Sequence, residues 1–306
     1  MTPARGPKPP RRITPLATPV FAPAALGFPL ADETLRALVR AALDEDQAFD
    51  DVTTIATVVS TRRTRASLVA RAAGTIAGIP LALAAFHLLD PRVEIRVDVE
   101  DGTGVGEGET LLFLSGQARG MLSAERVALN FLQRLSGIAT LTAQYVAAVQ
   151  GTRAAIVDTR KTTPGWRTLE KYAVRCGGGV NHRATLADAV LIKDNHIASC
   201  DDDVTVAVQR ARTHADVGLT IQVECDTVAQ ARAAIAAGAD ALLLDNMPEH
   251  ALRECVKLAA GHCWTEASGG VTLATVRAIA DTGVDRISIG ALTHSAPSLD
   301  LALDFE

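Results

Sequence analysis

The sequence predicts an α/β protein in two parts, a small N-terminal α/β sandwich domain followed by an incomplete parallel α/β barrel. Three observations carry that expectation. From about residue 137 onward, short apolar runs alternate with helical patterns, and each run ends in polar or glycine residues. Repeated βα units imply a parallel sheet. Functional groups at the end of every strand imply a barrel, since an open doubly wound sheet gathers its ligands at one switch point. Ahead of that rhythm, helix and strand patterns mix without repeating. Composition agrees: 306 residues, 48% hydrophobic and 4% aromatic, make a compact chain with ample core.

Taken in order, residues 1–30 are proline-rich and basic, with no acid before Asp32. Prolines at 3, 7, 9, 10, 15, 19, 23 and 29 interrupt any helix, so this stretch is expected to be a disordered leader. It has no uninterrupted apolar core of a signal peptide, and the prolines weaken an organelle transit peptide, which needs an amphipathic helix. Residues 31–136 are the expected sandwich. Leu35, Leu38, Val39, Ala42 and Leu43 share one helical face, with Asp32 as the expected N-cap. Asp50–Thr54 reads as a polar turn, Ser67–Ala70 as a strand, Leu81–Leu89 as a short helix, and the alternation Val93–Val99 as another strand.

Gly102, Gly104, Gly106 and Gly108 lack G-x-G-x-x-G spacing and lead into a strand, Thr110–Leu114, rather than a helix. They therefore predict a glycine-rich turn and no dinucleotide site. Ser123–Val149 reads as a long apolar helix capped by Ser123, with Gly137 marking a break. Six strand signals follow in residues 137–293. They are Ala155–Val157, Val190–Ile192, Ile221–Val223, Leu242–Leu244, Cys263–Ala267 and Ile287–Ile289, separated by helical stretches. Six strands leave a barrel incomplete. The alternating tail from Pro297 to Phe305 is expected to return to the first domain, which it joins as residues 294–306.

Net charge is −5 at pH 7, which argues against a general nucleic-acid binder and makes any basic cluster a local device. The five cysteines form an odd set without a C-x-x-C pair, which fits reduced thiols in the cytoplasm and neither a disulfide framework nor structural zinc. No apolar run approaches a membrane span.

Against that acidic background, Asp158–Asn195 concentrates Arg160, Lys161, Arg167, Lys171, Arg175, His182, Arg183 and Lys193. A charge run usually means a solvated face. Here Lys193 closes an apolar run and Gly177–Gly179 frees the backbone for close approach, which favours a pocket for a multiply charged anion. Other strand ends add Glu224 and Asp245, then the glycine turn Ser268, Gly269 and Gly270, with Gly290 next door. The last two loops of a barrel are its usual phosphate cradle. The carboxylates suit acid–base work, Mg²⁺ held through waters, or sugar hydroxyls, and beside a phosphate site we favour ribose hydroxyls and Mg²⁺. Arg126, on an apolar helix, reads by itself as a surface side chain.

These residues carry a resemblance. Asp158–Gly165 (DTRKTTPG), Gly177–Arg183 (GGGVNHR), Leu191–His196 (LIKDNH), Leu244–Met247 (LDNM) and Glu266–Gly270 (EASGG) resemble blocks of the quinolinate phosphoribosyltransferase family, in the same order. The likeness runs from about Asp32 to the C-terminus and includes Glu125–Arg126 and Gly137–Thr140. It implies a two-domain pentosyltransferase that converts quinolinate and phosphoribosyl pyrophosphate to nicotinate mononucleotide, pyrophosphate and CO₂ with Mg²⁺. It also implies a homodimer or multiple of dimers in which Arg126 completes the partner's site. By resemblance, Arg126, Arg160, His182, Arg183 and Lys193 hold quinolinate, and Lys161 is shared with the phosphoribosyl substrate. Glu224 and Asp245 serve catalysis and the metal, and Ser268, Gly269, Gly270 and Gly290 receive the 5′-phosphate. Cys225 departs from the aliphatic residue that the family often has there; if Glu224 points in, it points out. Two other readings compete: a molybdenum-operon relative of the same fold acting on another anion, and a non-enzymatic phosphosugar-binding module.

Overall fold

The computed structural model describes residues 26–306, so the expected leader lies outside the described residues up to residue 25. Residues 26–30, which the leader was expected to include, pack on the body: the Phe28 ring meets Tyr172 edge-on with centroids 5.1 Å apart.

The first unit contains α1 (Asp32–Glu45), α2 (Val52–Thr57), β1 (Arg63–Ala70), β2 (Gly74–Thr75) and α3 (Ile79–Leu89). It continues with β3 (Glu94–Val97), β4 (Gly104–Val105), β5 (Thr110–Gln117) and the start of α4 (Ala118–Ala148). α1 buries Leu35, Val39 and Leu43. Asp32 is its first residue rather than its cap. Its carboxylate accepts from Arg36 Nε at 2.8 Å and places negative charge at the helix start.

The predicted polar turn at 50–54 runs instead into α2, because Asp51 caps that helix by accepting the Thr54 amide at 3.0 Å. Ser123 donates to the other Asp51 oxygen at 3.0 Å. It therefore ties α4 to α2 and caps nothing, since α4 begins at Ala118.

α4 passes Gly137 without a break. At 31 residues it spans about 46 Å, long enough to serve both units. Gly137 is where the returning chain crosses: a Cβ there would strike the Pro297 carbonyl and lie 2.9 Å from Ser298 Cα.

The second unit runs through β6 (Ala155–Val157), α5 (Arg167–Cys176), β7 (Val190–Ile192), α6 (Asp194–Ala198), α7 (Val204–His214) and β8 (Ile221–Cys225). After these come α8 (Val228–Ala236), β9 (Ala241–Asp245), α9 (Glu249–Ala259), β10 (Trp264–Ser268), α10 (Val276–Ala280), β11 (Arg286–Ser288) and α11 (Ala291–His294). Its six strands are all parallel in the order β6-β11-β10-β9-β8-β7, and β6 and β7 do not pair. The barrel is thus open on that side.

The final strand, β12 (Leu301–Phe305), pairs antiparallel with β1 and puts Leu303 opposite Leu68. It completes an antiparallel sheet of order β12-β1-β5-β3. Three bonds lash the tail to α4. Arg134 Nη1 donates to the Ala296 carbonyl at 3.0 Å, the Leu299 amide donates to the Gln133 carbonyl at 2.9 Å, and Gln133 Nε2 donates to the Leu301 carbonyl at 2.8 Å.

Candidate active site

Parallel strands present all their C-terminal ends on one rim, so the segments after β6 to β11 meet there. Period-two alternation decides which side chains face inward. In β8, Ile221, Val223 and Cys225 are buried in the apolar layer, which leaves Gln222 and Glu224 together on the opposite face. In β10, Glu266 and Ser268 share a face in the same way, and Ser268 sits in register with Asp245 of β9. Cys225 is fully buried, opposite in sense to Glu224.

The loop after β6 is held from beneath by buried charge. The Asp158 carboxylate accepts from Lys171 Nζ, from Asn181 Nδ2 at 2.6 Å and from the His182 amide at 2.9 Å. Burial pushes its pKa up, and the Lys171 ammonium with these bonds opposes that. Glu170, fully buried, accepts from Arg134 at 2.9 Å and from the amide and hydroxyl of Thr163 at 3.0 and 2.8 Å. Thr293 Oγ1 donates to the Lys161 carbonyl at 2.7 Å. Arg160 and Lys161 thus stand on a loop fixed at both ends.

The eight basic residues of the cluster divide by task. Lys171 is buried against Asp158, Arg167 donates to Thr162 Oγ1 and the Ala184 carbonyl, and Arg175 lies over the Tyr172 ring. Those three hold structure. The glycine triplet is also structural, contrary to the expectation of ligand approach. A Cβ on Gly177 or Gly179 would clash with α4 at Ala139 or Thr142, and Gly178, at φ +83°, ends α5 in the left-handed region.

What remains gathers at the rim. Arg183 donates to the Ala189 carbonyl at 2.9 Å, and its pKa is lowered by burial and then by the nearby Arg160 charge. Arg160 Nε is buried without a hydrogen-bond partner among the described residues. Two like charges held together, one with a buried unsatisfied donor, form a site that an anion would stabilise. Lys193 Nζ donates to Glu224 Oε2 at 2.6 Å. Asn246 donates to Asp245 at 2.6 Å, and its own amide donates to the Ser268 carbonyl at 2.9 Å. Gly269 (φ +95°) has no room for a Cβ because Asn246 lies against it, and Gly270 follows at φ +59°. At Gly290 a Cβ would lie 3.0 Å from Lys161 Cδ, so that lysine crosses the last turn of the rim.

Arg126 stands apart. It is exposed on α4 and, among the described residues, makes no ion pair or hydrogen bond. Two further residues, Gln222 and Glu266, stand at the site without a motif that singles them out. Gln222 Nε2 donates to Glu266 Oε2 at 3.2 Å, and Gln222 Oε1 lies 3.2 Å from His182 Nε2. Glu266 is fully buried, and its Oε1 finds no donor among the described residues. The available signal was polar residues two positions before Glu224 and Ser268, inside strands otherwise buried on both faces.

The family model described as quinolinate phosphoribosyl transferase, N-terminal domain, matches residues 51–136, and its C-terminal counterpart matches residues 138–304. A probable nicotinate-nucleotide pyrophosphorylase [carboxylating] of Bacillus subtilis (strain 168) is 45% identical over 260 residues, covering 85% of this chain and 89% of that protein. A nicotinate-nucleotide pyrophosphorylase [carboxylating] of Mycobacterium leprae (strain TN) is 44% identical over 280 residues, covering 89% and 97%. Among solved structures, the nicotinate-nucleotide pyrophosphorylase from Francisella tularensis aligns with a TM-score of 0.85 at 37% identity, covering 90% of this chain and 98% of that one. The family match does not favour the two competing readings. Matched through both of its units, the chain belongs to the quinolinate phosphoribosyltransferase family.

Proposed function

We propose that this chain transfers phosphoribosyl from phosphoribosyl pyrophosphate to quinolinate with decarboxylation, giving nicotinate mononucleotide, pyrophosphate and CO₂ in NAD biosynthesis. The observation that carries the residue roles is the division of the rim. Arg160 and Arg183 stand near each other, Lys193 is paired with Glu224, Asp245 sits in register with Ser268 at the start of the glycine turn, and Lys161 lies against Gly290.

Quinolinate is a dianion, and guanidinium and ammonium groups fixed in place recognise its two carboxylates. His182 lines the same place, and Lys161 reaches from the clamp toward Gly290, where Ser268, Gly269 and Gly270 offer backbone to the 5′-phosphate. Loss of pyrophosphate from C1 builds positive charge on the ribose. Glu224 and Asp245 accept from its hydroxyls and stabilise that charge. The ring nitrogen takes the new bond to C1 as the C1–pyrophosphate bond breaks; its positive charge then stabilises the electron pair that departing CO₂ leaves on the adjacent ring carbon, which takes a proton from solvent.

No group of three or more His, Cys, Asp or Glu side chains forms a metal cage among the described residues. Two carboxylates fit Mg²⁺, which keeps waters and takes one or two side chains plus substrate phosphates. Glu224 and Asp245 would hold it, and when bound it would supply positive charge to the pyrophosphate leaving group.

A homodimer in which Arg126 completes the partner's site draws support from two features. Arg126 is exposed on α4 and unpaired among the described residues, and Val52, Ile55 and Val59 expose apolar side chains on and beside α2, which is tied to α4 through Arg119. A cytoplasmic setting is supported by five free cysteines. Burial pushes the Cys225 thiol up to about 12 and those of Cys255 and Cys263 up to about 11. No helix among the described residues is long and apolar enough to cross a membrane.

The test is formation of nicotinate mononucleotide from quinolinate, with nicotinate as control substrate. Asp245→Asn keeps shape and removes charge, so substrate binding should survive while turnover falls by about two orders of magnitude or more. Unchanged turnover at saturating Mg²⁺ removes Asp245 from catalysis.

A further inference from the structure

The family resemblance implies that His182 stands among the cations of the clamp. The hydrogen bonds around its ring say otherwise. The Arg183 amide donates to His182 Nδ1 at 2.8 Å. A backbone N–H is a donor only, so Nδ1 is bare; a proton there would place two hydrogens between the two nitrogens. A neutral ring with a bare Nδ1 carries its hydrogen on Nε2. Nε2 therefore donates to Gln222 Oε1 at 3.2 Å, which turns the Gln222 amide so that Nε2 donates to Glu266 Oε2 at 3.2 Å. The far end agrees independently, because a carboxylate such as Glu266 accepts. One fixed backbone donor thus polarises the whole relay, and reversing the Gln222 amide would leave the ring with two acceptors and no hydrogen.

We infer that His182 works as a neutral imidazole, hydrogen on Nε2, and that it acts through Nδ1 as a positioning residue for Arg183, with Gln222 and Glu266 holding it in that form. The inference rests on the quinolinate reading only for the identity of the ligand. Asp158 fixes the His182 amide at 2.9 Å and the ring fixes the next amide, so the backbone that launches the Arg183 guanidinium is held at both peptide groups. A neutral ring also adds no third positive charge beside Arg160 and Arg183. The carboxylates of quinolinate are then matched by Arg160, Arg183 and Lys193 without His182.

Two measurements test this. Nitrogen NMR of the wild-type protein carrying ¹⁵N-histidine, with the His182 signal assigned by its loss in His182→Asn, should show one bare Nδ1 and one protonated Nε2 at neutral pH. Two protonated nitrogens, or hydrogen on Nδ1, would overturn the proposal whatever the ligand is. Asn places an oxygen where Nδ1 lies and accepts the same amide, so His182→Asn should keep the quinolinate Kd within about threefold. His182→Ala and His182→Gln, which lose that acceptor, should raise it about tenfold or more. Equal damage by Asn and Ala would refute positioning through Nδ1. Failure of the wild-type protein to bind quinolinate would instead reject the ligand assignment and leave the NMR result standing.

Discussion

At Arg183 the guanidinium gives one donor to the Ala189 carbonyl, and burial with the neighbouring Arg160 charge lowers its pKa. A cation so placed gains most from a fixed anion. Arg183→Ala should therefore weaken quinolinate by about 2–4 kcal/mol and phosphoribosyl pyrophosphate far less, as measured by titrating each ligand separately. Equal weakening of both would remove Arg183 from the quinolinate clamp. Arg183 as a candidate was legible in the sequence, from a basic cluster in an acidic chain. Its supports were not. Asp158, Glu170 and Lys171 are charged residues turned inward, and a linear pattern does not reveal which charges of a run have buried partners.

Among the elements, glycines explain most of what the sequence concealed. The triplet at 177–179 looks the same on paper whether a ligand or a helix lies against it; the structure puts α4 there. Gly137 likewise marks a crossing of two backbones in an unbroken helix. Gly137→Ala should cost about 1–3 kcal/mol, because a carbonyl cannot yield as a flexible side chain would. Gly106→Ala, with open space around it, should stay within about 0.5 kcal/mol. Chemical denaturation of both variants tests the pair, and an equally tolerant Gly137 would show that the tail can lift away from α4. The strands were the most readable elements, since six short apolar runs with polar ends correspond to β6 through β11.

In the whole molecule, α4 carries Arg126 in the sandwich half and packs against α5 in the barrel half, so the two units are joined by one rigid rod. If Arg126 serves the partner's pocket, Arg126→Ala and Lys161→Ala chains should each be nearly inactive alone, and mixed dimers should regain one intact site because both lesions fall in the other. No recovery on verified heterodimers would place Arg126 in its own pocket or in none.

The sequence alone determined the α/β class, the parallel strands, the strand-end residues and the family, because hydrophobic periodicity and local motifs are properties of neighbours along the chain. Only the tertiary structure decided which cations pair with a buried carboxylate and which stay at the rim, which glycines serve packing, and that Gln222 and Glu266 reach His182. Those outcomes depend on groups tens of residues apart meeting in a low-dielectric interior, where an unmade hydrogen bond costs most.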